Sequence, residues 1–176
     1  MEQLFILLLQ NLLKILKAEY KLIVFCFFIG GKMINIEKLQ NSNLDTVMEI
    51  WLNTNINAHS FIAKTYWENK FNMVKELIPK SDVYLLQYNN NTAAFIGVLD
   101  GYIAGLFVKS NYQSKGFGKA LLDHVKAIYT HLHLEVYEKN KRAVDFYKRE
   151  GFIITERFID TSVNEYSYKM EWSKSL

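Results

Sequence analysis

Apolar and polar residues alternate along the chain from Met33, where the segment MINIEKL has the period of a half-buried strand. Further on, apolar residues from Leu44 to Trp51 recur at helical spacing behind Asn43, a residue that favours helix N-termini. A second stripe of this kind runs from Trp67 to Ile78. The pattern therefore predicts one strand followed by two helices.

The middle of the chain favours antiparallel strands. Residues 83–88 and 92–99 are apolar segments separated by a run of asparagines, which is typical of a hairpin. The pair Asp100-Gly101 then turns the chain into a further strand at 102–108. We expect these strands to lie side by side in one sheet.

The last third of the chain alternates helices and strands. Helical spacing from residue 115 to 131 precedes the strand HLHLEVY, and a short helix at 141–150 ends at Gly151. The segments FIITERFI and EYSYKMEW are rich in β-branched and aromatic residues, and they predict two strands, the second an edge or splayed strand. The order βααβββαβαββ indicates one domain of mixed α/β (α+β) layers over residues 33–176.

Residues 1–32 differ from the rest of the chain in being apolar but repeatedly interrupted by polar residues. Their longest unbroken apolar run, Leu22 to Ile29, is much shorter than the roughly 18 residues of a membrane-spanning helix. A signal peptide is disfavoured because Glu2 stands where positive charge is expected and no A-x-A-like cleavage site follows. The remaining interpretations are an interfacial amphipathic segment, a helix packed on the domain, or a translation start placed upstream of Met33.

Composition narrows the classes of function. The 176 residues suit one domain, and half of them are hydrophobic, which is enough for one substantial core. The formal charge of +3 is too small and too evenly spread to indicate a nucleic-acid partner. The single cysteine, Cys26, excludes an internal disulfide, so we expect a cytoplasmic protein. We expect it to be a monomer or a homodimer. The H-x-E formed by His133 and Glu135 has no accompanying C-x-x-C, and neither an H-E-x-x-H motif nor a further histidine cluster is present, so no metal is expected.

The segment GLFVKSNYQSKGFGKALLDHV places a glycine-containing turn between a strand and a helix. Gly116 and Gly118 would let the backbone approach a ligand closely. The first amides of the helix lack intrahelical acceptors, and with the helix dipole they favour a phosphate, while Lys115 and Lys119 add positive charge. The pattern is neither a Walker A loop nor a Rossmann fingerprint, which disfavours a nucleoside triphosphate or NAD. An ordinary connection with glycines for packing is the alternative.

Two blocks of the sequence carry a family resemblance. The string VKSNYQSKGFGKALL resembles the acetyl-CoA-binding motif of the GNAT superfamily of N-acetyltransferases, V-x-P-x-[YFW]-[QR]-x-x-G-[IVLF]-G-x-x-L-[LM], with Ser110 in place of the usual proline. The block HLEVYEKNKRAVDFYKREGF is similar to the family's next motif, L-x-V-x-x-x-N-x-x-A-x-x-[FL]-Y-x-x-x-G-F. The resemblance implies the GNAT fold with a splayed central sheet, and acetyl transfer from acetyl-CoA to an amine.

The resemblance covers about residues 33–172 and points to a branch of the family. It is nearest to the small bacterial enzymes that include peptidyl-lysine and ribosomal-protein N-acetyltransferases, which share W-L-x-x-x-x-x-x-H-x-F-I, here residues 51–62. In that branch the chain begins where Met33 stands. This favours an upstream start as the explanation of residues 1–32, and we expect a chain starting at Met33 to fold and to be active.

The resemblance also implies where the cofactor lies. Backbone amides from Gln113 to Lys119 would hold the pyrophosphate, and the end of the preceding strand would hydrogen-bond the pantetheine arm. Asn140 would cap the following helix and reach the same arm. The expected cofactor-binding residues are Leu106, Phe107, Val108, Gln113, Ser114, Lys115, Gly116, Phe117, Gly118, Lys119, Asn140 and Tyr147.

Transfer of an acetyl group to an amine needs a proton acceptor, a proton donor and an oxyanion site. By resemblance, Tyr147 is the expected acid for the departing thiolate; a core tyrosine beside Phe146 is the alternative. Glu135, between Leu134 and Val136 on a strand, is the expected base; a solvent-facing glutamate is the alternative, with a water chain accepting the proton. Backbone N–H groups near Phe107 and Val108, where the family has a bulge, would stabilise the oxyanion.

The acceptor side is less specific. The resemblance places Tyr102, His59 and Phe61 at the cleft that receives the amine, with Tyr66 in the covering helix. His124, His131 and His133 are interpreted as structural. The sequence leaves open a protein lysine, a protein N-terminus or a small amine as the acceptor. A non-catalytic acyl-CoA-binding module and a membrane-associated interaction protein are the competing classes.

Overall fold

The secondary structure follows the predicted order with one additional strand at its start. This computed structural model describes residues 25–29 and 32–174. The strands are β1 (Phe25–Ile29), β2 (Lys32–Lys38), β3 (Asp82–Tyr88), β4 (Asn91–Leu99), β5 (Tyr102–Val108), β6 (His131–Tyr137), β7 (Ile153–Asp160) and β8 (Glu165–Ser173). The α-helices are α1 (Leu44–Ala58), α2 (Lys64–Leu77), α3 (Phe117–Ile128) and α4 (Lys141–Arg149).

The strands form one sheet in the order β1-β2-β3-β4-β5-β6-β8-β7. Neighbouring strands are antiparallel except for β5 and β6, which are parallel. This arrangement confirms the mixed sheet predicted from the sequence. It corrects the prediction for the last strand, because β8 lies between β6 and β7, and β7 is the edge.

Helices cover both faces of the sheet, and the reason is visible in β3 and β4. Side chains alternate between the faces of a strand, so a strand buried on both sides is apolar along its whole length. Val83 and Leu85 pack with α1 and α2, whereas Tyr84 and Leu86 belong to the core under α3 and α4. The two cores are therefore separated by the sheet, and β4 between them is buried from Thr92 to Val98.

The parallel strands β5 and β6 touch only at their beginnings. Their register contains the single pair Tyr102 and His133, and the His133 N–H donates to the carbonyl of Gly101 at 3.0 Å. Beyond this point β5 continues to Val108 without a partner strand on that side. The result is the splayed sheet that the resemblance implied, with a gap between the two strands.

Local geometry differs from the sequence-based expectation at three places. Helix α3 begins at Phe117 because Gly116, its N-cap residue, adopts a left-handed backbone with φ of 82°. The bulge lies at Ala104, where the β4–β5 register shifts, and so it precedes Phe107. Asn43 does occupy the N-cap of α1, but its side chain makes no capping bond and accepts from Ser42 Oγ at 3.1 Å.

The expectation for residues 1–32 lies mostly outside the described residues. Of that segment, the backbone of 25–29 forms β1, which pairs antiparallel with β2 from Lys32 to Ile36. Within the described ranges, no helix combines the length and apolarity needed to cross a membrane.

Candidate active site

A cavity of about 630 Å³ lies where α3 and α4 meet the unpaired end of β5. Ten of the twelve residues expected to bind the cofactor line it; the two that do not are Phe107 and Lys115. The C-terminal turn of α1 contributes Thr54, Asn57 and Ala58, which the sequence did not single out. The cavity therefore unites the two sequence blocks that carry the family resemblance.

Phe107 and Lys115 make their side-chain contacts outside the lining of the cavity. Alternation along β5 sends the Phe107 ring to the other face of the sheet, where it stacks on Phe95 with ring centroids 4.7 Å apart. The Lys115 ammonium lies 5.4 Å from the centroid of the Tyr112 ring. Because the resemblance implied contacts through the backbone, the assignment of Phe107 in β5 and Lys115 in the following loop to the cofactor stays a prediction.

The N-terminus of α3 presents free backbone donors to the cavity. The first bond within the helix runs from the Ala120 N–H to the Gly116 carbonyl at 3.0 Å. The N–H groups of residues 117–119 therefore have no acceptor within the helix, and all three residues line the cavity. With the positive end of the helix dipole, they form a site suited to a phosphate.

Gly118 keeps this site open. A Cβ at Gly118 would lie 3.3 Å from Leu106 Cδ2 and 3.7 Å from Phe146 Cζ. The first contact is tighter than most Cβ atoms make, so a side chain here would press on the cavity wall. The glycine thus lets α3 pack closely against the cavity wall, and its close approach to a ligand stays a prediction.

Arg142 in the first turn of α4 crosses the mouth of the cavity, and sequence reasoning missed it. Its guanidinium donates to Gln113 Oε1 and, at 3.2 Å, to Ser114 Oγ. Gln113 Nε2 in turn donates to the Val108 carbonyl at 3.0 Å. These bonds join α4 to the loop and to the end of β5. A signal was present, because a basic residue two positions after the helix cap Asn140 must lie in the first turn.

The positive charge of Lys119, which the sequence assigned to the phosphate site, is partly neutralised by carboxylates. Its ammonium pairs with Asp123 at 3.0 Å and with Glu150 at 3.1 Å, and the hydrogen bond to Asp123 is the main reason why its pKa is raised. Part of its positive charge is thus already balanced. Arg149 also lines the cavity and is a further basic residue that the sequence did not single out.

The unpaired end of β5 offers backbone donors to the gap. The Lys109 N–H donates to the Ala93 carbonyl of β4 at 3.0 Å. Because N–H directions alternate along a strand, Phe107 N–H also faces β4, whereas Leu106 and Val108 N–H face the gap. The oxyanion site expected near Phe107 and Val108 stays a prediction, and the N–H groups of this strand end that face the gap are those of Leu106 and Val108.

Tyr147 on α4 lines the cavity and is buried, with 7% of its surface exposed. Burial raises the pKa of its hydroxyl above the usual range, and the neighbouring Tyr102 adds to that rise. The hydroxyl therefore keeps its proton at neutral pH. Its ring packs against Phe146 and Phe152, as the core interpretation predicts, and its catalytic role stays a prediction.

Glu135 and Tyr102 lie together at the gap but do not line the cavity. Glu135 is exposed on β6, with its buried neighbours Leu134 and Val136 on the opposite face. Burial raises the pKa of Tyr102, and the charge of Glu135 raises it further. The charge of Tyr102 also contributes to the raised pKa of Tyr147, so Tyr102 interacts with both the expected base and the expected acid.

Two residues expected at the acceptor cleft, His59 and Phe61, form an aromatic cluster with Trp67 and Tyr137, whereas Tyr102 packs against His133 with ring centroids 5.3 Å apart. The His59 ring stacks on Trp67 with centroids 5.2 Å apart, and it meets Tyr137 at 5.3 Å and Phe61 at 5.7 Å, both edge to face. Burial lowers the pKa of His59 to about 4. The Tyr137 hydroxyl donates to Asp160 at 2.9 Å, which ties the cluster to the end of β7.

Asn140 connects this cluster with the cavity. Its Oδ1 accepts from the Ala143 N–H at 3.2 Å and so caps α4, as predicted. Its Nδ2 lies 3.2 Å from His59 Nε2. Over the described part of the chain, no group of three or more His, Cys, Asp and Glu side chains could hold a metal ion.

Comparison with known proteins gives consistent results. The pattern of the acetyltransferase (GNAT) family matches residues 44–152. Peptidyl-lysine N-acetyltransferase YiaC of Escherichia coli (strain K12) is 31% identical over 123 residues, covering 69% of this chain and 84% of that protein. Peptidyl-lysine N-acetyltransferase YjaB of Salmonella typhimurium is 26% identical over 71% of this chain and 87% of its own. The solution structure of apo YjaB from Escherichia coli aligns with a TM-score of 0.71 and 21% identity, over 81% of this chain and 99% of that chain.

Proposed function

The chain belongs to the acetyltransferase (GNAT) family, and from that premise we propose that it acetylates lysine side chains of proteins. The enzyme transfers an acetyl group from acetyl-CoA to an amine, which is the activity of the family. The proposal for lysine rests on one observation: the 31% identity to a protein named as a peptidyl-lysine N-acetyltransferase, over 84% of that protein. The acceptor side of the site is compatible with this substrate.

The cavity fits the cofactor in shape and in charge. Free N–H groups at residues 117–119 and the guanidinium of Arg142 suit the pyrophosphate at one end. The narrow gap beside Leu106 and Val108 suits the extended arm, whose amides can pair with the unpaired edge of β5. When bound, acetyl-CoA supplies the acetyl thioester whose carbon–sulfur bond is exchanged for a carbon–nitrogen bond.

The proposed proton transfers follow from the two sides of the gap. A lysine amine has a pKa near 10.4 in water and must lose a proton before it can attack; Glu135, directly or through a water, accepts it. On the other side Tyr147, which burial keeps protonated, donates its proton to the sulfur that leaves. The N–H groups of Leu106 and Val108 face the place where the carbonyl oxygen gains charge. The nitrogen loses a second proton as the amide forms, and through water this proton replaces the one that Tyr147 gave to the sulfur. The proton on Glu135 then passes to solvent, so both residues end the cycle in their starting states.

The acceptor would approach from the side of Tyr102 and Phe61. Aromatic rings suit the apolar stem of a lysine, and the exposed carboxylate of Glu135 suits its ammonium. Tyr102 lies beside Glu135, and Phe61 packs edge to face on Tyr137 at 5.7 Å. We place this reaction in the cytoplasm, as expected of a chain with a single cysteine, and fractionation of a cell lysate tests that placement.

A matched pair of peptides tests the acceptor. One peptide has a blocked N-terminus and a single internal lysine; the other has the same sequence with a free N-terminus and arginine in place of lysine. Each is incubated with the protein and acetyl-CoA and analysed by mass spectrometry, with a reaction lacking protein to measure spontaneous acetylation. We expect acetylation of the lysine peptide alone.

The other outcomes are equally informative. Acetylation of only the free N-terminus would replace lysine by an α-amine as the substrate. Acetylation of spermidine but of neither peptide would indicate a small-molecule enzyme. If calorimetry shows that acetyl-CoA binds and no amine is modified, the chain would be the non-catalytic acyl-CoA-binding module.

A further inference from the structure

His59 is joined to the helix that carries Tyr147 by a side-chain hydrogen bond. His59 follows α1, and its backbone N–H donates to the Asn55 carbonyl at 2.9 Å, which closes that helix. On the other side of the bond, Asn140 caps α4, and Tyr147 lies seven residues further along. The 3.2 Å contact between Asn140 Nδ2 and His59 Nε2 therefore links the acceptor side of the molecule to the cofactor side.

The direction of this bond is fixed by the helix cap. The Ala143 N–H donates both to the Asn140 carbonyl at 3.0 Å and to Asn140 Oδ1 at 3.2 Å. With the amide reversed, the NH₂ group would face the Ala143 N–H donor to donor, so the NH₂ group is turned toward His59. An NH₂ group can only donate, and His59 Nε2 must therefore be the acceptor. It follows that His59 is neutral and carries its proton on Nδ1.

The surroundings of His59 hold it in this state. Its ring lies between Trp67, Phe61 and Tyr137, and Nδ1 is enclosed, with no hydrogen-bond partner among the described residues. Burial lowers the pKa of His59, and the backbone of Asn55 works against that lowering. Two charged groups contact the other rings of the cluster: Asp160 accepts from the Tyr137 hydroxyl at 2.9 Å, and the Lys139 ammonium lies 5.4 Å from the centroid of the Phe61 ring.

We propose that His59 is a positioning residue for acetyl transfer: by accepting the hydrogen bond of Asn140 it holds the first turn of α4, and with it Tyr147, in place against the cofactor cavity. This differs from the expectation that His59 contacts the amine. Its Nε2 is bonded to Asn140 and its Nδ1 is enclosed, so neither ring nitrogen can contact the substrate amine. The inference rests on the proposed roles of Asn140 and Tyr147.

Two substitutions separate the hydrogen bond from the packing. His59→Phe keeps an aromatic ring beside Trp67 but has no acceptor, whereas His59→Gln offers an amide oxygen at about the position of Nε2. We expect His59→Phe to lower kcat/KM for acetyl-CoA by between about ten- and a hundredfold, since small displacements of a catalytic group have effects of this size. The KM for the amine should not change, and His59→Gln should recover most of the loss.

The kinetic outcomes decide between the roles. If His59→Phe raises only the KM for the amine, His59 contacts the acceptor and the proposal is wrong. Equal defects in both variants would also overturn it, because the packing and not the hydrogen bond would then matter. Circular dichroism of each variant shows whether it has folded.

A measurement on the unaltered protein covers the case in which the variants do not fold. In ¹⁵N-labelled protein, NMR should show His59 Nε2 without a proton and Nδ1 with one; the opposite tautomer would overturn the proposal. Asn140→Asp keeps the cap but turns an acceptor toward His59, so the pKa of His59 should rise, while that of the buried His124 should not change. An unchanged pKa of His59 would mean that the two side chains are not in contact.

These readouts are independent of the acceptor. The NMR result does not require activity, and the affinity for acetyl-CoA is measured by calorimetry without an amine. Failure of the lysine assay together with the expected tautomer would refute the proposed substrate and leave the role of His59 intact.

Discussion

Tyr147 combines two properties that a proton donor needs at neutral pH: its hydroxyl is held protonated by burial, and its residue lines the cavity. Removing one positioned proton donor lowers a rate by about 100- to 10,000-fold. We therefore expect Tyr147→Phe to lower kcat by that factor and to leave the affinity for acetyl-CoA, measured by calorimetry, within about threefold, since the ring stays in place.

Tyr129 provides the matched control for this substitution. Its hydroxyl donates to Asp82 at 2.9 Å, beyond the C-terminal end of α3, whereas the cavity lies at the N-terminal end. Tyr129→Phe should keep the wild-type kcat. A Tyr147→Phe enzyme with the wild-type kcat would exclude the acid role.

Glu135 allows a test that separates a base from a structural residue. Glu135→Gln keeps the shape of the side chain but cannot accept a proton from the amine. Because more of a lysine amine is already neutral at high pH, the rate defect should shrink as the pH rises from 7 toward 10. Steady-state rates with the lysine peptide measure this. A defect of the same size at every pH would show that Glu135 orders the strand instead.

At the scale of elements, the expected role of the N-terminus of α3 can be tested with a single substitution. Gly118→Glu places bulk and negative charge where Leu106 Cδ2 lies only 3.3 Å from an added Cβ and where the free amides point. We expect the affinity for acetyl-CoA to fall by at least about a hundredfold in calorimetry, by repulsion of the phosphates.

A glycine in the sheet serves as the control for that element. At Gly97 an added Cβ would meet only Val83 Cγ2, at an ordinary 3.8 Å, so Gly97→Ala should bind acetyl-CoA normally. Unchanged affinity in Gly118→Glu would remove α3 from the cofactor site.

The sequence predicted these elements well because each has a strong local pattern. The stripe of Leu121, Leu122 and Val125 predicts α3, and alternation in HLHLEVY predicts β6. What it could not predict depends on contacts between distant residues. The orientation of Phe107 follows from the register with β4, and the bond of Arg142 to Gln113 spans 29 residues. His59 was assigned to the acceptor by resemblance, whereas its partner Asn140 is 81 residues away.

At the scale of the whole molecule, buried histidines make stability depend on pH. The pKa of His59 is lowered by burial to about 4, and that of His124 is lowered by burial too. The unfolded chain takes up these protons near pH 6.5 and the folded chain does not, so the free energy of unfolding falls as the pH drops below 6.5. For His59 the loss amounts to at most about 3 kcal/mol at pH 4.

Urea unfolding at several pH values between 7 and 4 measures this effect. His59→Gln should show a shallower loss of stability across that range than the wild-type protein, with the contribution of His124 remaining. Asp82 and Asp160, whose pKa values are lowered, add their own loss only at still lower pH. The same slope in both proteins would show that His59 does not resist protonation.

The gap between β5 and β6 has a mechanical consequence. The strands from β1 to β5 and those from β6 to β8 are joined by only one register pair, Tyr102 and His133, so we expect the sheet to be least rigid at this junction. A ligand bound in the gap would hydrogen-bond the unpaired edge of β5, as a neighbouring strand would. Hydrogen exchange at the Leu106 and Val108 amides should therefore slow when acetyl-CoA binds, while exchange at Ala94, inside the ladder of β4, stays the same. If so, the sheet becomes more rigid when acetyl-CoA binds and less rigid when the product leaves, because the cofactor pairs with the edge of β5 that has no partner strand.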